Sequence, residues 1–269
     1  MKTARRQLLA AVLFIPTTYS NATLVAYTDH AAFLSDLAAL GTVVHEGFEG
    51  SAWDGARSSI SGGFVTAPSV SSLGVTWASS NPTGGVTTGS GPELSGDWGF
   101  YAYPHGSFSR GNTDCTDPVS VPGVCGDGFQ GGADSGVLYG VGGWIKTNTP
   151  FAKLGMFIGA YDPAYYDPFT DSFSNEIDFG ETCDSNGENC SNNAIIGTQH
   201  KFFGVIDSDG FSQFEYRELE GTNGDQKLIF ADDFYLAGSD ITAVPLPPAM
   251  WFFGSGLLGL VGVTRKKAG

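Results

Sequence analysis

From Thr42 to Leu236 the chain is a succession of short runs rich in Val, Ile, Phe, Tyr and Trp, most of them broken within nine residues by Gly, Pro, Asp, Asn or Ser. Helices of ordinary length do not fit between such breaks, whereas strands do. The runs are Thr42 to Phe48, Gly74 to Ala78, Trp98 to Tyr103, Val137 to Ile145, Ala152 to Ile158, Ala194 to Gly197, Phe202 to Ile206, Phe211 to Leu219 and Leu228 to Leu236. With 39 Gly, 20 Phe and only 15% charged residues, the composition excludes a coiled coil or helical bundle. Hydrophobic residues make up 41%, enough for a core and too many for disorder throughout. The expected class is mainly β, with two sheets packed as a sandwich.

Ahead of the strands, Asp29 or Thr28 can cap a short helix whose apolar residues Phe33, Leu34, Leu37 and Leu40 share one face, with Gly41 as its stop. Phe202 to Leu219 reads as a hairpin in which Asp207-Ser208-Asp209-Gly210 joins two aromatic-rich strands. Alternation puts Trp98, Phe100 and Ala102 on one face of their strand, a stripe better suited to the core than to a sugar platform. Together these features predict a jelly-roll-like β-sandwich with one short N-terminal helix. No repeat or linker divides it, so residues 23–243 form one domain between two terminal signals.

At the N-terminus, Lys2, Arg5 and Arg6 precede the apolar run Leu8 to Ile15, then Pro16 and the polar Thr17-Thr18-Tyr19. This is the order of a secretory signal peptide, and the small pair Ser20 and Ala22 predicts cleavage after Ala22. Residues 244–269 open with Val244-Pro245-Leu246-Pro247-Pro248, continue through the uncharged stretch Ala249 to Thr264, and end with Arg265-Lys266-Lys267. Sixteen helical residues reach about 24 Å, which spans a hydrocarbon core of about 30 Å with local thinning. The basic end stays cytoplasmic, leaving the body outside that membrane. Proline box, short transmembrane helix and basic end in this order resemble the PEP-CTERM sorting tail of Gram-negative bacteria in its Val-Pro-Leu-Pro variant. Leu246 stands where the name-giving motif has Glu, and Pro248 adds a second proline. The resemblance implies export through the secretion translocon, transient residence in the inner membrane and recognition by an exosortase. It also implies cleavage near the proline box and arrival at the cell surface or in the exopolysaccharide matrix of a biofilm.

Six of the 13 basic residues belong to the two ends, so residues 23–244 carry seven against all 28 acids, a net charge of −21. Such a body is repelled by phosphate backbones, which excludes nucleic acid as a partner, and its natural charged ligand is a cation. If the Thr42 to Phe48 and Leu228 to Leu236 strands lie side by side, Glu46 and Glu49 approach Asp232 and Asp233. Four carboxylates together need protons or a cation, and Ca²⁺ accepts such hard oxygen ligands in loose geometry as a structural ion. The alternative is that these acids alternate outward along exposed strands. Phe48-Glu49 and Asp232-Asp233-Phe234 also resemble the ends of secreted jelly-roll domains that accompany such tails. A second acidic cluster, Asp162, Asp167, Asp171, Glu176 and Asp178, reads as surface solubility, with another weak cation site as the alternative.

Nine residues separate Cys115 from Cys125 and six separate Cys183 from Cys190, so two local disulfides are the economical choice among three pairings. They fit an oxidising compartment. No C-x-x-C is present to suggest a zinc site.

The chain has no G-x-S-x-G, H-E-x-x-H or phosphate-binding G-x-x-x-x-G-K-[ST], and its four His residues are scattered. Glu176-Ile177-Asp178-Phe179-Gly180-Glu181 resembles the E-x-D-x-x-E strand of laminarinase-type glycoside hydrolases. By that resemblance Glu176 would be the nucleophile, Glu181 the general acid/base and Asp178 their tuner. The segment after it, Thr182-Cys183-Asp184, departs from that pattern. Aromatic side chains offer flat faces on which sugar rings stack, and Tyr161, Tyr165 and Tyr166 lie in an irregular Asp- and Pro-rich stretch suited to exposure. The expectation is therefore a non-catalytic glycan-binding or structural surface module, with a hydrolase as the alternative.

Overall fold

The computed structural model describes residues 24–59, 63–80, 84–91, 93–103, 128–148, 152–159, 166–167, 172–173, 175–183, 186, 190–218 and 229–241. Ala22, Cys115, Cys125, Tyr161, Tyr165 and the tail from Val244 through Arg265, Lys266 and Lys267 lie outside the described residues. In chain order the elements begin β1 (Val25–Tyr27), α1 (His30–Ala38), β2 (Val44–Glu46), a 3-10 helix (Ser51–Ala56), β3 (Ser69–Ser72), β4 (Val75–Ser79), β5 (Gly85–Gly89) and β6 (Gly99–Tyr103). They continue with β7 (Gly128–Ala133), β8 (Leu138–Thr147), β9 (Ala152–Ile158), β10 (Tyr166–Asp167), β11 (Ser172–Phe173), β12 (Glu181–Thr182) and β13 (Ser191–Asn192). The last are β14 (Ile195–Ile196), β15 (Lys201–Phe211), β16 (Gln213–Glu218) and β17 (Ile229–Gly238).

The chain is mainly β, and its long strands form two antiparallel sheets. One has seven strands in the order β1-β15-β8-β17-β6-β5, with β2 also on β17; the other has six in the order β14-β9-β16-β7-β4-β3. Alternation along each strand sends one set of side chains between the sheets. In β4, Val75 and Trp77 are fully buried; in β16, Phe214 and Tyr216; in β17, Ala231, Phe234 and Leu236. The filling is aromatic. Trp77 of the six-stranded sheet meets Phe234 of the seven-stranded one edge to face at 5.1 Å, and Phe100 meets Phe129 in the same way at 5.0 Å. Phe48 stacks on Phe100 at 4.8 Å and Trp53 crosses both rings, closing one end of the layer.

Helix α1 lies on the outer face of the seven-stranded sheet. Its N-cap is Asp29, whose Oδ1 accepts the Ala32 N–H at 2.9 Å. Phe33 and Leu37 are fully buried against Phe202, Ile206 and Ala237. Gly204 makes this approach feasible, since a Cβ there would sit 2.9 Å from the Phe33 ring. Leu40, expected on the buried face, is 36% exposed, because the helix ends at Ala38 and the chain has left the helical period before reaching it.

The expected hairpin from Phe202 to Leu219 is not formed. β15 pairs with β1 and β8, while β16 pairs with β7 and β9, so the chain crosses from one sheet to the other at Ser212. Asp207 to Gly210 is an irregular excursion inside β15, after which Phe211 rejoins β8 opposite Leu138. Both strands carry buried aromatics that need the opposite sheet as a partner, and a flat two-stranded hairpin would place them side by side instead.

Trp77 packs on Phe48, Phe100, Phe129, Phe214 and Phe234 at once. Trp77→Ala should lower the unfolding free energy by about 3–5 kcal/mol, read as a fall in the urea midpoint at unchanged slope. A loss under about 1 kcal/mol would show that the ring layer does not hold the two sheets together.

Candidate functional site

Along one edge of β17 the partner changes. Phe230 and Ala231 pair with β6, whereas Phe234 to Leu236 pair with β2. Asp232 and Asp233 fall in the notch between these two ladders. On the other side β17 slips against β8 between Asp232 and Tyr235, a bulge that adds one residue to β17. Asp233 takes the strain of this bulge at φ +47°, and Phe48, just past β2, stands at φ +60°. Aspartate tolerates this left-handed region better than most residues, whereas for phenylalanine it costs roughly 1–2 kcal/mol.

Backbone amides fill the notch. The segment leading into β6 presents the N–H groups of Leu94 and Ser95 to Asp232 Oδ2 at 2.6 and 3.1 Å, and Asp232 Oδ1 accepts the Asp233 N–H at 2.8 Å. Ser95 Oγ donates to Asp233 Oδ1 at 2.8 Å, and His45 Nε2 lies 2.7 Å from the same oxygen. Further along, Glu49 Oε1 accepts the N–H groups of Asp97 and Trp98 at 2.7 and 2.9 Å. Three carboxylates thus grip one loop, residues 93–98, against the sheet edge.

Burial pushes the Asp232 carboxyl up from 3.8 to about 6, and the Asp233 charge adds to this, while the amides of Ser95, Leu94 and Asp233 oppose it. Tyr235 stacks on His45 at 4.8 Å and tilts against His30 at the same distance; its hydroxyl is raised by burial and by the two nearby aspartates. His30 is lowered, chiefly by burial. Two histidines that look scattered in the sequence therefore converge on one tyrosine. No short motif marks this, because the register of β2 against β17 creates it. Ser95 and His45 share one oxygen of Asp233 and do not form a serine–histidine–aspartate relay, which needs the histidine between the other two.

The four carboxylates expected around a cation are split. Glu46 lies opposite Phe234 on the Val44 side of its strand, is 3% exposed, and turns Oε1 to the Phe48 N–H at 2.7 Å. Its Oε2 is buried without a hydrogen-bond partner. Glu49, Asp232 and Asp233 gather instead around the 93–98 loop. Among the described residues no three His, Cys, Asp or Glu side chains are placed to hold a metal ion.

Glu176 bridges to Phe157, which in turn pairs with Glu215, so the two acids share one face of the six-stranded sheet with a buried phenylalanine between them. Glu215 is itself paired with Arg217 at 2.7 Å. Ile177 and Phe179 enter the core, and Asp178 Oδ1 accepts the Gly180 N–H at 2.7 Å. At Gly180, φ +75°, the chain turns, and Glu181 starts a separate ribbon of β12 and β13. The E-x-D-x-x-E segment therefore does not run as one bulged strand. Cys183 and Cys190 form a disulfide across that ribbon. Tyr166 falls in β10, paired to β11.

On the solvent face of β4, β7 and β16, Thr76, Ala78, Gln130, Gly132, Asp134 and Gln213 line a groove of about 410 Å³. Gln213 Nε2 donates to Gln130 Oε1 at 3.0 Å, and Thr76 Oγ1 donates to Asp134 Oδ1 at 2.5 Å. The pairing leaves the Gln130 N–H groups and the Gln213 carbonyl for other partners.

These features define a mainly β protein built on two antiparallel sheets, with a carboxylate-clamped loop at one edge and a polar groove on the other sheet. Compared with protein-family models, curated proteins and solved structures, the chain matches none.

Asp232 binds its proton more tightly folded than unfolded, so its contribution to stability is complete below 3.8 and is lost as pH rises through about 6. Relative to Asp232→Asn, the wild-type melting temperature should rise as the pH is lowered from 7 to 4. Parallel melting curves for the two proteins across that window would show that Asp232 is not held in a desolvated site.

Proposed function

We propose that this chain is an exported, exosortase-sorted protein of the cell surface or extracellular matrix, and that its jelly-roll-like sandwich binds exopolysaccharide without cleaving it. The jelly-roll assignment is supported by the path of the chain, in which β6, β7, β8 and β9 alternate between the two sheets. The sorting route rests on the terminal signals.

The groove on the six-stranded sheet carries the binding reading. Its amide, hydroxyl and carboxylate groups on a rigid strand surface match the alternating donors and acceptors of sugar hydroxyls. Holding the groups on strands limits the ordering cost of binding. Non-catalytic binding is supported by the separation of Glu176 and Glu181 into a sheet and a ribbon.

Gln130→Ala combined with Gln213→Ala should weaken retention on the organism's own exopolysaccharide about tenfold, a loss of about 1.4 kcal/mol, with an unchanged melting temperature. Equal retention of variant and wild type would remove the groove from the reading. Wild type and Glu176→Gln should both leave the polymer's chain length unchanged. Shortening by the wild type that Glu176→Gln abolishes would replace this reading with the hydrolase. Calcium is tested separately: an ion at the notch would have to displace amide donors from Asp232 or Glu49, and EDTA would then lower the melting temperature. An unaltered melt removes the ion.

A further inference from the structure

We infer that the molecule carries a second glycan site, on the opposite face of the sandwich, in which Phe64 and Tyr101 receive one ring of a neutral hexose polymer. The inference rests on the polysaccharide reading above and adds a site, a ligand class and a consequence.

Phe64 is 52% exposed and its neighbour Val65 is 41% exposed. A half-exposed phenylalanine forgoes part of the free energy of burial, yet this one is held in place. Ser59 and Gly63 exchange backbone hydrogen bonds at 3.2 and 3.0 Å, with Gly63 at φ +87° turning the chain. Ser58 Oγ accepts the Val65 N–H at 2.8 Å and lies 2.7 Å from Thr87 Oγ1, which donates to the Ala56 carbonyl at 2.9 Å. The residues on both sides of the phenylalanine are thus tied to Ser58 and Ser59, and Ser58 in turn to Thr87 of β5.

Its ring stands 5.8 Å from that of Tyr101, with the planes inclined by 38°, and Tyr101 meets Phe230 edge to face at 5.8 Å. Phe230 lies between the core residues Ile229 and Ala231, so this aromatic row is on the outer face of the seven-stranded sheet. A cleft of about 270 Å³ opens between the rings and Ser58, Ser59 and Ser90. That volume falls below the roughly 300–1,000 Å³ of sites for drug-sized ligands, and suits one sugar ring. The apolar face of a pyranose stacks on a ring such as Phe64 while the exposed Ser90 at the cleft rim meets its polar edge.

Charge selects the class. The domain carries −21, and among the described residues the cations near the cleft are engaged: Lys146 Nζ donates to the Gly91 carbonyl at 3.1 Å, and Arg57 serves Asp54 and the carbonyls of Phe48, Glu49 and Gly50. From the described residues a uronic or sulfated polymer would find net repulsion and no free counter-charge. With one site on each outer face, a single copy can join two polysaccharide chains.

The test uses the full chain in affinity electrophoresis with a neutral β-glucan or with alginate in the gel, and in viscometry of the same glucan. Gln130→Ala/Gln213→Ala, which leaves only the aromatic cleft, should still be retarded by the glucan. Adding Phe64→Ala should weaken that retardation at least tenfold, and Phe64→Tyr should restore it. Wild type should raise glucan viscosity, and neither Gln130→Ala/Gln213→Ala nor Phe64→Ala alone should. Retardation of wild type that the double glutamine variant alone abolishes would overturn the second site while leaving the polysaccharide reading intact. No retardation of wild type by either polymer would remove both. Stronger retardation by alginate would overturn the ligand class. Dissociation of a dimer by Phe64→Ala, with glucan binding unchanged, would assign the cleft to self-association and overturn the site. A near-ultraviolet spectrum like that of wild type shows that each variant is folded.

Discussion

The contact of aromatic rings across the two sheets is the constraint from which the rest of the structure follows. Trp77, Phe129 and Phe214 rise from one sheet, Phe100 and Phe234 from the other, and the rings meet mostly edge to face, the arrangement their quadrupoles prefer. Rings of this size interleave only where a neighbour gives way. A Cβ on Gly143 would lie 2.5 Å from the Phe234 ring. Glycine within a strand weakens it, and here the same residue lets a larger apolar area leave water. Gly131, Gly142 and Gly204 make room for Phe rings in the same way.

Keeping Phe234 in that layer shapes the edge of the sheet. β17 enters with Ala231 in the core and must return Phe234 to the same side three residues later, although strict alternation would send it outward. One extra residue reconciles the two, and it is Asp233, at φ +47°. The bulge turns the carboxylates toward the gap between β2 and β6. Amides from the 93–98 loop and the imidazole of His45 compensate them there. The polar clamp is thus a consequence of core packing, and its strain is repaid by the hydrogen bonds around it.

Much of the fold was legible because its signals are local. The run Ala152 to Ile158 coincides with β9 residue for residue, and Asp29 caps α1 where its side chain predicts. β5 and β7, reading Gly-Val-Thr-Thr-Gly and Gly-Phe-Gln-Gly-Gly-Ala, were illegible, since strands so rich in glycine carry no propensity of their own and exist because their neighbours pair with them. The path from β15 to β16 misled for a related reason: a turn-like Asp-Ser-Asp-Gly marks a change of direction, and only the demand for a ring on each sheet decides which strand comes next. The acids of the notch were recognisable as a pair of pairs. That Glu46 faces the core and Glu49 the loop depends on the positive φ of Phe48, which no residue-type preference announces. His45 and Tyr101 acquire their surroundings from strand register, His30 from the packing of α1 on the sheet, and Phe64 from the bond between Val65 and Ser58.

The charge of the domain and its two outer surfaces act over different distances. A net −21 repels polyanions at long range, but salt screens that repulsion beyond about 8–10 Å. At contact, in the proposed reading, selection would pass to groups that present shape and hydrogen-bonding pattern: planar amides at Gln130 and Gln213, an inclined pair of rings at Phe64 and Tyr101. The notch acids Asp232 and Asp233 are buried and spoken for by internal donors, so they add little to the outward field and leave it to surface carboxylates such as Asp134 on the rim of the groove. On the binding reading proposed above, a neutral polymer would be met without electrostatic steering. Its on-rate would be that of ordinary docking, and residence would come from engaging the same chain, or two chains, through surfaces on opposite sheets.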